Sequence, residues 1–258
     1  MPEPMPAPAS PSDWTARIVA LASLDGPTGG EGPVADALAK SLGPHVDRVE
    51  RDPLGNVIAV RFARPAVGAD AAANGRPSPT LVLTARLDEP TLIVARIDAG
   101  GFLRFRPLGP VAAFDARAWL GQPVTVHGRR ALPGVIGTRP PHVLDAASRD
   151  ATPDIDALFV DVGLAEDDVR AAAAVGDAIT VRRAPAALAG GRLSGKAVAN
   201  RAALAALVEV AAQLDGMRHE CTLVFAGTAQ GGFGQRGAVT LAGWLADDEA
   251  AGAGESDS

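Results

Sequence analysis

The sequence predicts an α/β protein in which a β-rich insert interrupts the α/β domain. Two different sequence patterns along the chain indicate this. Residues 13–90 and 191–246 combine helix-length segments that carry an apolar face with short apolar strands. Residues 91–190 instead hold short strands separated by Gly/Pro turns, which are typical of a small barrel or a sandwich. We therefore expect a discontinuous α/β domain around an inserted β domain.

The first part of the α/β domain opens with two predicted helices. Asp13 can cap a helix that ends near Ser23, and a Gly/Pro turn at residues 26–30 precedes a second helix through Leu38. The elements predicted after these helices are a strand at 49–51, a tight turn at 52–56, a strand at 57–62, a polar loop at 68–79 and a strand at 80–87.

The insert and the second part of the α/β domain complete the predicted elements. The strands of the insert are predicted at 92–97, 102–107, 123–127, 132–137, 157–162 and 177–182, with a helix at 166–174. The α/β part resumes with a helix at 200–214, a strand at 221–228 and a helix at 236–245. We expect a disordered Pro-rich leader at residues 1–12 and an acidic disordered tail at residues 247–258.

Composition excludes several classes of protein. Hydrophobic residues make up 47% of the 258 residues, which favours a globular chain, and no apolar run reaches the length of a membrane span. The net charge is −6 and the arginines are scattered, so we expect no nucleic-acid partner. Cys221 is the single cysteine, which excludes an intramolecular disulfide. We expect a cytoplasmic protein with no membrane partner.

Several short motifs occur in one order along the chain. They lie at residues 26–31, 52–56, 101–105, 132–137 with 140–142, 159–163, 195–197 and 234–238. In this order they resemble the tetrahedral (glutamyl-aminopeptidase, cellulase-M-like) family of dinuclear zinc metallopeptidases. The resemblance covers residues 14–245. It implies an α/β/α peptidase domain interrupted by a β-barrel dimerisation domain, with dimers that assemble into tetrahedral particles.

The resemblance also implies two zinc or cobalt ions, but the residues at the matching positions do not suit them. Arg86 stands where the family has a zinc-binding His two residues before an Asp, here Asp88, and a guanidinium has no lone pair for a metal. Ala199 stands at the bridging Asp, and Gly231 and Gly232 stand at the paired glutamates that act as general base and ligand. We therefore expect no catalytic residue and no metal cofactor.

Two interpretations of Arg86 are open. Its guanidinium could replace the missing cation by neutralising Asp88 or Glu89, or Arg86 could have drifted after selection for ligation ceased. The four histidines share no spacing typical of metal ligands, so a replacement site is not expected. They are His45, His127, His142 and His219.

The end of the chain suggests a C-terminally truncated member of the family. The family's domain continues well beyond the motif at 234–238, whereas here residues 241–245 pass into the tail, which we interpret as a natural terminus. We expect an exposed sheet edge as a result. A homo-oligomer, or a hetero-oligomer with an active relative, would cover that edge.

Three functions are compatible with these observations. The first is a non-catalytic homologue, a pseudoenzyme that acts as a scaffold, regulatory or binding subunit. The second is a metal-dependent aminopeptidase or other hydrolase with a rebuilt site. The third is a module that binds a peptide or small ligand in the vestigial cleft. Metal content with peptide cleavage separates the first two, and stabilisation by peptides without hydrolysis identifies the third.

Overall fold

The computed structural model describes residues 11–65, 78–109, 115–143 and 154–254. They form two compact units, one within residues 1–88 and 197–258 and the other within residues 89–196. Most of the predicted leader and polar loop, and the last residues of the predicted tail, lie outside the described residues.

The helices and strands are numbered in chain order. The helices are α1 Pro11–Ala22, α2 Gly32–Leu42, α3 Ala116–Trp119, α4 Glu166–Ala172, α5 Val198–Gln213 and α6 Arg236–Gly254. The strands are β1 Arg48–Arg51, β2 Val57–Arg61, β3 Thr80–Arg86, β4 Leu92–Ile97, β5 Leu103–Pro107, β6 Pro123–His127, β7 Ala131–Gly137, β8 Phe159–Asp161, β9 Ala178–Val181, β10 Ala186–Leu188, β11 Arg192–Ser194 and β12 Thr222–Thr228.

The first unit contains a four-stranded sheet in the order β1-β2-β12-β3, where β12 and β3 are parallel and the other pairs are antiparallel. Strand β2 shows how both faces of this sheet are covered. Because side chains alternate along a strand, Val57 and Ala59 pack into the core formed with α1, α2 and α5, while Ile58 and Val60 pack on the side of α6. The unit is therefore an α/β/α sandwich of layers, as the resemblance implied.

Helix α5 carries the largest helical contribution to this core. Its apolar side chains recur at helical spacing and are buried, which confirms the predicted core face. They are Leu204, Leu207, Val208 and Ala211. In the described part of the chain, β1 and β3 are the two edges of this sheet, and Leu81 of β3 is exposed.

The second unit contains a closed antiparallel barrel in the strand order β4-β5-β8-β7-β6-β9. Strand β9 pairs with β4 and closes the ring, so of the two predicted architectures the barrel is the correct one. Alternate side chains of the strands fill its interior, and α3 and α4 add Trp119 and Val169 to the same core. Close packing of β7 on β8 requires Gly134, since a Cβ there would lie 2.7 Å from Cγ1 of Val160.

Several element bounds differ from the prediction. Helix α1 begins at Pro11, because proline is tolerated in the first turn, so residues 11 and 12 are not part of a disordered leader. Helix α6 continues to Gly254, past the predicted end near residue 245 and into the predicted tail, although Asp247, Asp248 and Gly252 in this segment are poor helix formers.

The β10–β11 hairpin was not predicted, and it belongs to the second unit although the sequence assigned residues from 191 to the first. Its turn uses Gly190 and Gly191, both at positive φ. Within the described ranges, no helix has the length and apolar character needed to cross a membrane.

Candidate functional site

The candidate site lies in the first unit, at the carboxyl ends of two parallel strands. Strands β3 and β12 are paired in register up to Arg86 and Thr228. Because parallel strands end at the same edge of a sheet, the segments that follow them, residues 87–88 and 229–235, leave the sheet side by side. This is where the sequence placed Arg86, Asp88, Gly231 and Gly232.

The carboxylate of Asp88 is the centre of the site. Arg86 donates from Nε to Oδ1 at 3.0 Å and from Nη2 to Oδ2 at 3.1 Å, so the guanidinium grips the carboxylate as a fork. The hydroxyl of Thr28 donates to Oδ2 at 2.8 Å, and the backbone N–H of Gly232 donates to the same oxygen at 2.6 Å. A buried charge is stable only when it is paired and hydrogen-bonded, and Asp88 meets both conditions.

Exposure differs sharply between the two partners of this ion pair. The side chain of Asp88 is 0% exposed, whereas that of Arg86 is 45% exposed. The carboxylate of Asp88 is therefore shielded from water, whereas the outer part of the Arg86 guanidinium remains in contact with water. Arg86 is consequently the group through which the site meets solvent.

A second buried carboxylate, that of Glu31, holds the loop after β12. Its Oε1 accepts from the backbone N–H of Gly29 at 3.0 Å and from that of Gln230 at 2.7 Å. Gln230 has a φ of 50°, a left-handed conformation that non-glycine residues rarely adopt, so this loop is held in a strained shape. The same loop delivers the N–H of Gly232 to Asp88.

Asn56 fixes the base of this loop from the β1–β2 turn. Its Oδ1 accepts from the N–H of Ala229 at 2.8 Å, and its Nδ2 donates to the carbonyl of Gly237 at 2.8 Å. Asp52 accepts from Nδ2 of Asn56 at 2.6 Å. The predicted tight turn at residues 52–56 thereby positions the segment that reaches Asp88.

The first turn of α5 holds the backbone beside Asp88. Nδ2 of Asn200 donates to the carbonyl of Asp88 at 2.8 Å, and the buried guanidinium of Arg201 donates to the carbonyls of Leu87 and Asp88. Ala199 precedes these two residues, is exposed, and has only a methyl group for a side chain. The turn therefore orients Asp88 through the backbone without adding a carboxylate.

Gly231 and Gly232 are required by space rather than by backbone conformation. A Cβ on Gly231 would lie 2.8 Å from Cδ and 2.9 Å from Cζ of Arg86. A Cβ on Gly232 would lie 2.9 Å from Oγ1 of Thr28 and 3.1 Å from Oδ2 of Asp88. Any side chain at these positions would press on the ion pair or on its donors.

Glu89, the other acidic residue considered as a partner of Arg86, forms its ion pair elsewhere. It is buried in the second unit and accepts from Nζ of Lys196 at 3.2 Å. Arg86 thus neutralises Asp88, and Glu89 has Lys196.

The side chains present do not fit a pair of divalent metal ions. Within the described ranges, no group of three or more His, Cys, Asp or Glu side chains is placed to hold a metal. Arg86, Ala199, Gly231 and Gly232 supply no donor atom for a metal, and the carboxylate of Asp88 already accepts from Arg86. Two histidines form hydrogen bonds away from this site: His127 with the hydroxyl of Thr180, and His219 with the carbonyl of Cys221.

Sequence reasoning missed three residues that shape this site. Thr28 and Glu31 lie in the predicted motif at 26–31, but their contacts with Asp88 and Gln230 join segments far apart in the chain. Asn56 lies in the motif at 52–56, and its contacts with Ala229 and Gly237 also join distant segments. The available signal was the presence of polar side chains inside two motifs that belong to one resemblance.

Comparison with known proteins agrees with this architecture. A family model of the M42 glutamyl aminopeptidases matches residues 69–252. The chain is 30% identical over 218 residues to SgcX of Escherichia coli (strain K12), which covers 83% of this chain and 55% of that protein. The chain therefore spans little more than half the length of that relative.

Solved structures show the same fold. Aminopeptidase APDkam598 of the archaeon Desulfurococcus kamchatkensis matches with a TM-score of 0.78 and 30% identity over 92% of this chain and 61% of that one. The TET1 peptidase of Pyrococcus horikoshii matches with a TM-score of 0.73 and 24% identity, over 89% of this chain and 64% of that one. The latter protein can assemble into a tetrahedron or a large octahedral shell.

Proposed function

Because the chain belongs to the M42 glutamyl aminopeptidase family, we propose that it is a non-catalytic member, a scaffold, regulatory or binding subunit of an oligomer. The observation that carries this proposal is the ion pair between Arg86 and the buried Asp88, at the position where the resemblance expects a zinc-binding His. A cytoplasmic location, expected from the sequence, is part of the same proposal.

The guanidinium of Arg86 is unsuited to the role that the resemblance assigns to this position. A guanidinium has no lone pair to donate to a metal ion or to accept a proton from water. It would also repel a metal ion. At about 4 Å and an effective dielectric constant of about 20, two unit charges repel by about 4 kcal/mol, and a divalent ion roughly doubles this.

The neighbouring positions support the same conclusion. Gly231 and Gly232 have no side chain that could act as a general base, and their backbone lies against the Arg86–Asp88 pair. Ala199 offers no carboxylate to bridge two metal ions. A hydrolytic reaction at this place would need groups that these residues do not supply.

The test is hydrolysis of a panel of aminoacyl-p-nitroanilides and short peptides by the purified 258-residue chain, with added zinc or cobalt. An active M42 aminopeptidase serves as the positive control. We expect no turnover above buffer. Metal-dependent cleavage would establish the rebuilt hydrolase instead. Thermal stabilisation by a peptide without cleavage would identify a binding subunit rather than a scaffold.

Self-association is the second part of the proposal. Apolar side chains are exposed on both units, namely Leu81 on the edge strand β3 and Phe102 and Val135 in the second unit. Exposed edge strands and apolar surface favour association, and the TET1 peptidase of Pyrococcus horikoshii can assemble into a tetrahedron or a large octahedral shell. Light scattering should give the mass of several chains, and a strict monomer at micromolar concentration would contradict a homo-oligomer. Co-purification with an active relative would show the hetero-oligomer.

A further inference from the structure

We propose that Arg86, Gly231 and Gly232 are one coupled arrangement, in which the guanidinium is the built-in counter-ion of Asp88 in place of a metal ion. This inference rests on the site of the proposed function and deepens it. Arg86 can neutralise the buried Asp88 only where residue 231 has no side chain, so the contributions of these positions to stability depend on one another.

Asp88 needs a positive partner whatever the protein does. Its carboxylate is fully buried, and the two neutral donors, the hydroxyl of Thr28 and the N–H of Gly232, both reach Oδ2. The oxygen Oδ1 receives the Nε–H of Arg86. An isolated ionised carboxylate in such a place is strongly unfavourable, so the guanidinium provides the compensation that a metal ion would provide elsewhere.

Arg86 can take this position only because Gly231 has no side chain. A Cβ at residue 231 would fall on the guanidinium stem, 2.8 Å from Cδ and 2.9 Å from Cζ. A flexible arginine can move aside, but moving would separate it from Asp88. The cost of a side chain at 231 is therefore the loss of the ion pair, and it should disappear when Arg86 is absent.

Gly232 serves the same pair from the other side. Its N–H donates to Oδ2 of Asp88, and a Cβ there would lie 3.1 Å from that oxygen and 2.9 Å from Oγ1 of Thr28. The φ angles of Gly231 and Gly232 lie outside the left-handed region in which glycine is favoured, so the requirement is for room. Both glycines are thus explained by contacts with the pair.

The experiment is a double-mutant cycle on the full chain, measured by urea unfolding. We expect Gly231→Ala to raise the unfolding equilibrium constant at least about tenfold in the wild-type background, which corresponds to about 1.4 kcal/mol. In the Arg86→Ala background the same change should have an effect of less than about threefold. Gly243→Ala, at a helical glycine where an added Cβ would meet open space, is the matched control and should not destabilise the chain.

Equal effects of Gly231→Ala in both backgrounds would overturn the inference. Failure to fold of both the Gly231→Ala variant and the double variant with Arg86→Ala would also overturn it. Failure of Gly231→Ala alone, with folding restored by Arg86→Ala, would support it. This cycle is independent of the peptidase and light-scattering assays. If the chain is inactive but residues 86 and 231 show no coupling, the proposed function stands and only the inference of a coupled arrangement is rejected.

Discussion

Two Arg-x-Asp segments with the same spacing behave differently in the two units. In the first unit Arg86 ends β3 and Asp88 follows it, and in the second unit Arg96 lies in β4 and Asp98 directly follows that strand. Each aspartate accepts from the arginine two residues earlier. Asp88 is fully buried, whereas Asp98 is 20% exposed beside an Arg96 that is 70% exposed. The local pair is the same, but its surroundings differ.

The additional hydrogen-bond partners of each aspartate explain why the two ion pairs should differ in their contribution to stability. Asp88 is completed by Thr28 and by the backbone of Gly232, which leave no room for water. Asp98 is completed by a second arginine, Arg104, at 2.7 Å. Buried ion pairs are costly to break because one charge is left without compensation, while exposed pairs contribute about 0–1 kcal/mol. The pair in the first unit should therefore dominate mutational effects.

Removal of each carboxylate is expected to have the largest effect on stability and tests whether the two ion pairs differ. Asp88→Ala leaves three donors around an empty space and is expected to destabilise the chain by about 3–5 kcal/mol. The matched variant Asp98→Ala should cost about 1 kcal/mol or less. Urea unfolding of the two variants measures both values. Similar losses would show that burial is not what distinguishes the pairs.

Replacement of arginine by lysine tests the fork geometry. Arg86→Lys keeps the positive charge but forms a single hydrogen bond with Asp88, so we expect a loss of about 2 kcal/mol. Arg96→Lys should be close to neutral, because Arg104 still holds Asp98. A lysine at 86 that leaves the urea midpoint unchanged would argue that charge alone is required.

The hydroxyl of Thr28 has a smaller role in the buried pair. Thr28→Val removes one donor to the Asp88 carboxylate with little change in volume, and we expect a loss of about 1.5 kcal/mol. Ser41→Ala is the control, since its exposed hydroxyl donates only to the carbonyl of Ala37 in its own helix. Equal effects of the two variants would mean that Asp88 does not depend on Thr28.

The contribution of the Asp98 ion pairs in the second unit should be visible mainly in the pH dependence of stability. The hydrogen bond from Arg104 lowers the pKa of Asp98 below its ordinary value of 3.8, with Arg96 adding to the effect. The folded pKa is depressed, so the stabilisation is present above about pH 4 and is lost as pH falls through the folded pKa.

Asp98→Asn should therefore lose less than about 1 kcal/mol relative to wild type near neutral pH. The difference in urea midpoint between the two should shrink as the pH falls below about 4. A difference that grows towards acid pH would contradict the sign.

The sequence anticipated those parts of the molecule whose cause is local. The Gly/Pro turns of the insert indicated short strands that the structure closes into a barrel, and the apolar face of α5 is buried as expected. One of the two interpretations of Arg86 was an ion pair with Asp88 or Glu89, and the structure contains the pair with Asp88. Each of these follows from residues within a few positions of one another.

The parts that were missed depend on distant segments or on weak propensity. Thr28 and Gly232 reach Asp88 from 60 and 144 residues away, and no local pattern could reveal that they meet. The exposed, Ala-rich strand β10 carries neither alternation nor β-branched residues, so only the Gly190-Gly191 turn of the hairpin left a signal. Helix α6 extends past its predicted end through a segment that mixes alanines with aspartates and glycines, so its composition did not indicate a helix.

The most direct test of the central claim is the metal content of the chain. The protein would be dialysed against zinc and then against metal-free buffer, and analysed by inductively coupled plasma mass spectrometry. With Arg86 as counter-ion of Asp88, we expect far less than about one zinc ion per chain. Retention of about one or two zinc ions per chain, lost on changing Asp88→Ala, would contradict the account.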